Sequence, residues 1–241
     1  MTLMRKLVAA VAFGWLAGCT VQPPAPSTAE AIPAAFPDAY YRQAAAQGLA
    51  VLGADPKESL VAIEVFRGGS LARLGHDHVI ASHDVRGFVA PGANRADLYL
   101  RLAALVVDEP DLRKQAGFDT QPSEDDITGT RRNMLASLEA AAFPYALIHV
   151  AGIEGEGDQG GVIVNKVDKR VDVTIEVHGV RRTMRAPVTV EMTSGSLVAT
   201  GRLALRQTDF GVTPLSVLGG AIQVKDEVRV RFEIRATELA H

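Results

Sequence analysis

Residues 171–177 read VDVTIEV. Val171, Val173, Ile175 and Val177 fall on one side of an extended chain and Asp172, Thr174 and Glu176 on the other, the period of two of a strand with one wet face. The pattern spreads outward from there. Met184, Ala186, Val188, Val190 and Met192 alternate with Thr183, Arg185, Pro187, Thr189 and Glu191, up to a turn at Ser194 and Gly195. Leu197, Ala199, Leu203 and Leu205 continue an apolar face against Thr200, Arg202 and Arg206. In the last strand Val228, Val230, Phe232, Ile234 and Ala236 alternate with Arg229, Arg231, Glu233 and Arg235.

Toward the N-terminus the same reasoning predicts strands over Leu60–Arg67, His78–Ala90, Leu98–Val107 and Tyr145–Ala151. A non-strand insertion, 109–142, separates the last two. In it Ser123 or Asp125 is placed to cap a helix carrying Ile127, Met134, Leu135 and Leu138 on one side and ended by Phe143 and Pro144. A short helix is predicted over Asp38–Gln47, and there is no internal repeat. About eight to ten short antiparallel strands with little helix resolve into a sandwich or a closed barrel. Charges at every second outward position make the outside wet, the reverse of an outer-membrane pore. The inward faces are mostly aliphatic and aromatics are only 5% of the chain. A smooth lining of that kind favours a barrel with an apolar cavity, with a fully packed core as the alternative, since alternation fixes the face and not the filling.

At 241 residues the chain can bury one sizeable core, and a single barrel domain over 38–241 is the expectation. A net charge of -3 with no basic run excludes the electrostatic footprint of nucleic-acid binding. At the N-terminus, Arg5 and Lys6 precede an apolar run from Leu7 to Leu16 and then LAGC, the layout of a secretory signal over residues 1–18. Ala17 and Gly18 before the sole cysteine resemble a bacterial lipobox, which implies a lipidated Cys19. With Thr20 in place of an aspartate, the expected location is the outer membrane, facing the periplasm. Residues 19–37, rich in proline and alanine, read as a tether.

Four stretches taken in order, SLVAIEVFRGGSLARLGHDHVIASHDVRGFV, TGTRRNMLASLEAAAFPYALIHV, VDVTIEVHGVRRTMRAPVTVEM, and LALRQTDFGVTP with VRVRFEI, resemble the YceI-like family of bacterial periplasmic proteins. The HGVRR turn, Phe143-Pro144 and the Arg206–Val212 motif carry most of the likeness. The resemblance implies an eight-stranded antiparallel lipocalin-like barrel holding a polyisoprenoid or similar lipid, with no catalytic residues and no cofactor. This chain departs from the pattern in its histidine-rich GHDH, its long insertion and its lipobox.

Three of the six histidines, His76, His78 and His83, fall within GHDHVIASH. His76 and His78 share a strand face and are candidate metal ligands, joined by His83 if Ala81 and Ser82 form a turn, with Asp77 and Asp84 orienting the rings. The competing reading is a polar turn at the barrel rim. His149 is expected as a hydrogen-bonded core residue, His178 in a turn, and His241 at a frayed end. Arg131 and Arg132 on the insertion helix are placed to meet a phosphate or quinone carbonyl, or simply to be solvated. No serine elbow or paired-carboxylate motif supports acyl transfer.

The leading expectation is therefore a non-enzymatic carrier that sequesters an elongated apolar molecule. Its wall is expected to include Ile63, Val65, Leu100, Leu102, Val173, Ile175, Met184, Val188, Leu203, Val230 and Phe232. The alternatives are a metal-dependent periplasmic protein using the histidine cluster, and an envelope scaffold whose filled barrel presents the insertion to a partner.

Overall fold

The computed structural model describes residues 32–154 and 165–239. The expected signal segment, Cys19, the tether as far as residue 31, and His241 lie outside the described residues. Among the described residues twelve strand segments form one antiparallel sheet, and they group into eight staves that neighbour one another in chain order. Three staves are each built from two segments: β1 (Leu52–Ala54) with β2 (Leu60–Gly68), β3 (His78–Ser82) with β4 (Arg86–Ala90), and β5 (Arg95–Arg101) with β6 (Val106–Val107). The other five are β7 (Tyr145–Glu154), β8 (Asn165–Val177), β9 (Val180–Thr193), β10 (Ser196–Arg206) and β12 (Ile222–Glu238), with β11 (Ser216–Val217) a short strip paired to the start of β12. The last stave returns to the first, Val230 opposite Ile63 and Glu238 opposite Leu52, so the eight staves close into a barrel. Closure leaves no long open edge.

The stave containing β1 and β2 breaks at residues 55–59, where Pro56 lacks a backbone donor. Ser59 repairs the seam, since its hydroxyl accepts from the Arg235 N–H at 3.0 Å. Alternation alone could not reveal β1, β11 or the full reach of β8 and β12, which start at Asn165 and Ile222.

Gly87 in β4 has φ +133°, and a Cβ there would stand 2.2 Å from the carbonyl oxygen of Asp97 on the neighbouring strand. No side chain fits. Gly87→Ala is expected to cost about 1–3 kcal/mol in backbone strain before the clash is counted, read as a fall in the urea midpoint at unchanged slope. A wild-type midpoint would show that the two strands are not this close.

Among the described residues three α-helices attach to the barrel. In α1 (Asp38–Ala46), Tyr41 is 1% exposed, and its hydroxyl donates to Asp97 at 2.7 Å while its ring meets Phe36 and Phe88. Packing thus begins within the stretch read as tether, because Phe36 is itself buried. Tyr41→Phe removes a hydrogen bond to a buried carboxylate, an expected loss of about 1.5–3 kcal/mol in chemical denaturation.

The insertion contains two helices rather than one. The helix α2 (Pro110–Ala116) lies outside the barrel, with Leu112 against Ala62, Val79 and Ala81. At one end sits α3 (Glu124–Ser137), capped by Ser123 in a reciprocal capping box with Asp126. It packs Ile127, Met134, Leu135 and Leu138 onto Ile80, Leu100, Leu102 and Leu105. It ends at Ser137, before Phe143, because Glu139 turns left-handed at φ 46°.

Candidate functional site

Inside the barrel is a cavity of about 440 Å³. Its wall comes from every stave, since side chains of alternate residues must face it. Of the residues named from the sequence, Ile63, Val65, Leu100, Leu102, Val173, Ile175, Val188, Leu203, Val230 and Phe232 line it. Met184 does not. It stands opposite Val173 in register, but it lies beyond Pro187, where β9 parts from β10.

That parting has a local cause. β9 and β10 pair only from Thr193–Ser196 to Val188–Gly201. The Pro187 carbonyl points at Gly201, within 2.9 Å of where a Cβ on that glycine would be. In an antiparallel strand the nitrogen of the same residue points the same way, and proline has no N–H to offer β10. The ladder stops there. Gly201 also leaves room for the Phe232 ring, which would come within 2.5 Å of the same Cβ.

Beyond the parting, the turn Gln207–Phe210 follows β10, and both Gln207 and Phe210 line the cavity. Asp226 fixes this turn by accepting from the Thr208 amide at 2.9 Å, the Thr208 hydroxyl at 2.8 Å and Arg206 Nε at 3.0 Å. These hydrogen bonds, the Thr208 amide first, hold its carboxyl below the usual range. Phe210 is 3% exposed and Val212 is also on the wall. The TDFGV motif therefore supplies wall that the alternation of strands could not announce. Phe210→Ala is expected to cost about 3–5 kcal/mol and to speed ligand release in stopped-flow displacement. An unchanged off-rate would mean that Phe210 does not retain the ligand.

Polar groups on the wall are few and lie toward the ends. Asn94, Arg95 and Lys169 stand toward the end with the 91–94 and 194–195 turns. Toward the other end are His78, Arg206, Gln207 and three residues of α3: Thr130, Asn133 and Ser137. His78 Nδ1 donates to Asp108 at 2.6 Å, and its Nε2 is 3.4 Å from the Thr130 hydroxyl. Asp108 is fully buried, at φ 60°, and also accepts from the Val79 N–H at 3.0 Å and Arg113 Nη1 at 2.6 Å. Burial pushes its carboxyl up, but the hydrogen bonds from His78, Val79 and Arg113 together outweigh this and hold it below the usual value.

The three histidines of GHDHVIASH are not brought together. His76 and His78 have ring centroids 6.2 Å apart, and His76 faces Asp126 at 3.8 Å. His83 follows the end of β3 and pairs with Glu109 at 2.8 Å. Asp77 and Asp84 do not orient the rings. Asp77 accepts from the Arg67 amide, and Asp84 from Arg86 and Arg101. Among the described residues no group of three or more His, Cys, Asp or Glu is placed to hold a metal.

His149 is hydrogen-bonded, to Asp97 at 2.7 Å, but it is on the outer face with its side chain 39% exposed and is not a core residue. His178 does occupy a turn, at φ 55°, within 3.2 Å of the Phe210 carbonyl. Arg131 donates to the Ala103 carbonyl, and neither it nor Arg132 lines the cavity. Sequence reasoning missed His78, Thr130, Asn133 and Ser137 as wall. The signal was present, since His78 is two residues before Ile80 on one face and Thr130, Asn133 and Ser137 share a helix face.

Comparison with known proteins gives a match of residues 103–236 to the YceI-like domain family. A polyisoprenoid-binding domain from Saccharophagus degradans, implicated in plant cell wall breakdown, superposes with a TM-score of 0.56 at 16% identity, covering 79% of this chain and 99% of that one. BcnA of Burkholderia cenocepacia gives 0.47 at 17% identity over 76% and 99% of the two chains. The YCEI protein of Campylobacter jejuni gives 0.40 at 14% over 65% and 82%. No curated relative matches.

Proposed function

The chain belongs to the YceI-like family, and from that premise we propose that it is a binding protein that takes an elongated apolar molecule, an isoprenoid or similar lipid, into the barrel. The observation that carries this is the aliphatic wall running through the interior around a cavity of about 440 Å³. That volume is within the roughly 300–1,000 Å³ of small-molecule sites. The similarity to a polyisoprenoid-binding domain supports the same ligand class.

Binding proceeds by burial, with no bond made or broken. Removing roughly 400 Å² of apolar surface from water yields about 10 kcal/mol at 25 cal/mol per Å², set against an association cost of about 4–15 kcal/mol. The length of the ligand follows from the volume. An apolar cavity of roughly 150 Å³ holds a benzene ring, so about 440 Å³ holds on the order of 18 carbons. The natural partner is then a chain of three or four isoprene units, or the end of a longer one whose remainder leaves the barrel.

The sequence from Arg5 to Cys19 supports a further part of the proposal, that the protein is lipid-anchored at the outer membrane and presents the barrel to the periplasm. There it takes up apolar molecules that water does not carry. A titration series of prenols with 10, 15, 20 and 40 carbons tests the reading. Affinity is expected to climb steeply to about 20 carbons and then level off. No binding by any member, or affinity rising unchanged to 40 carbons, contradicts it.

A further inference from the structure

We infer that His78 is a head-group acceptor, so that the ligand carries a hydroxyl or another single hydrogen-bond donor at one end of its apolar chain. The inference rests on the carrier reading and adds the chemistry of the ligand's polar end. On a wall that is mostly aliphatic, with Arg95, Lys169 and Arg206 toward its ends, His78 is the side chain that brings an imidazole to the cavity. It is not a loose surface residue. Its side chain is 14% exposed and sits opposite Val65, one inward step from Ile80.

What lies behind the ring decides which of its two nitrogens faces the cavity as the acceptor. Asp108 is completely buried between Arg113, the Val79 amide and His78, so its carboxylate is ionised and can only accept. The nitrogen that faces it, Nδ1 at 2.6 Å, must therefore carry the proton. In the neutral ring Nε2 is left as a bare acceptor turned to the cavity. Its neighbour there is the Thr130 hydroxyl at 3.4 Å, too far for a strong bond. Thr130 lines the cavity with Asn133 and Ser137, which share its face of α3. This corner suits an end group that donates to Nε2 while its own oxygen accepts from the helix.

Arg113 is also committed elsewhere, to the carbonyls of Asp77 and Thr120. The carboxylate that holds the imidazole at the cavity is thus itself fixed by Arg113 and the Val79 amide, so the ring is presented from a rigid, buried cluster.

The test compares farnesol with its methyl ether, which keeps the chain and the oxygen and loses the donor. On the unaltered full chain, farnesol is expected to bind about three- to tenfold tighter, the yield of one neutral hydrogen bond. In His78→Leu that preference should vanish, farnesol and its ether binding alike whatever the change in their common affinity. Equal binding of the two ligands by the unaltered chain, or a preference that survives His78→Leu, overturns the inference and leaves the carrier reading standing. Binding of neither overturns both. Should His78→Leu fail to fold, the two ligands on the unaltered chain decide the outcome.

Discussion

Asp108→Ala is expected to destabilise the barrel by about 3–5 kcal/mol, because it strands an arginine that the fold has already taken out of water. Asp108 is fully buried and the Arg113 side chain is only 8% exposed. Removing the carboxylate leaves a buried guanidinium with only neutral partners, the Asp77 and Thr120 carbonyls and the Thr120 hydroxyl among them, and it also frees the amide of Val79 and the ring of His78. The consequence reaches beyond this cluster. Val79 and Ala81 form the seat of α2, and His78 forms part of the cavity wall, so one carboxylate fixes the insertion outside and the lining inside. The measurement is a urea melt. A loss under about 1 kcal/mol would show that the pair is solvated in solution.

The same group sets an acid limit. Its folded-state pKa lies below the unfolded value of about 3.9. A depressed carboxyl contributes stability that is fully present above the unfolded pKa and is lost as pH falls through the folded one. Stability should therefore fall more steeply below about pH 4 in the wild type than in Asp108→Ala. Parallel acid limbs in the two proteins would contradict this.

The second large effect is on binding. Ala199→Trp is expected to abolish uptake of a fifteen-carbon prenol while the barrel still folds, at a cost of about 1–3 kcal/mol from overpacking. Ala199 lies on the cavity wall and packs beside Val188, Ile234 and Leu197, the middle of the barrel rather than an end. An indole there occupies the space the ligand needs. Tryptophan fluorescence reports the filled interior directly, and loss of prenol binding with a native melt is the expected pair of results. Undiminished binding would place the ligand somewhere other than the lumen.

Much of this was legible in the sequence for one reason. A barrel with a wet outside and an oily inside imposes period two on every stave, and VDVTIEV and VRVRFEI display it without interruption. The staves and most of the wall follow. What was not legible depends on contacts between residues far apart. Asp108 finds His78 only after β6 has paired with β3, Ile80 opposite Val107. Met184 obeys the alternation and still misses the cavity, because a proline three residues on ends the ladder with β10. The histidines were misleading for a related reason. Nearness in sequence placed His76, His78 and His83 together, and the end of β3 sets His83 apart to face Glu109.

The carrier account is tested most directly by a crystal structure of the protein grown with farnesol. It predicts density for one extended chain inside the barrel, against Ile148, Val173 and Phe232, with its oxygen beside His78. Density confined to the outer surface, or an interior closed by the protein's own side chains with farnesol excluded, would contradict it.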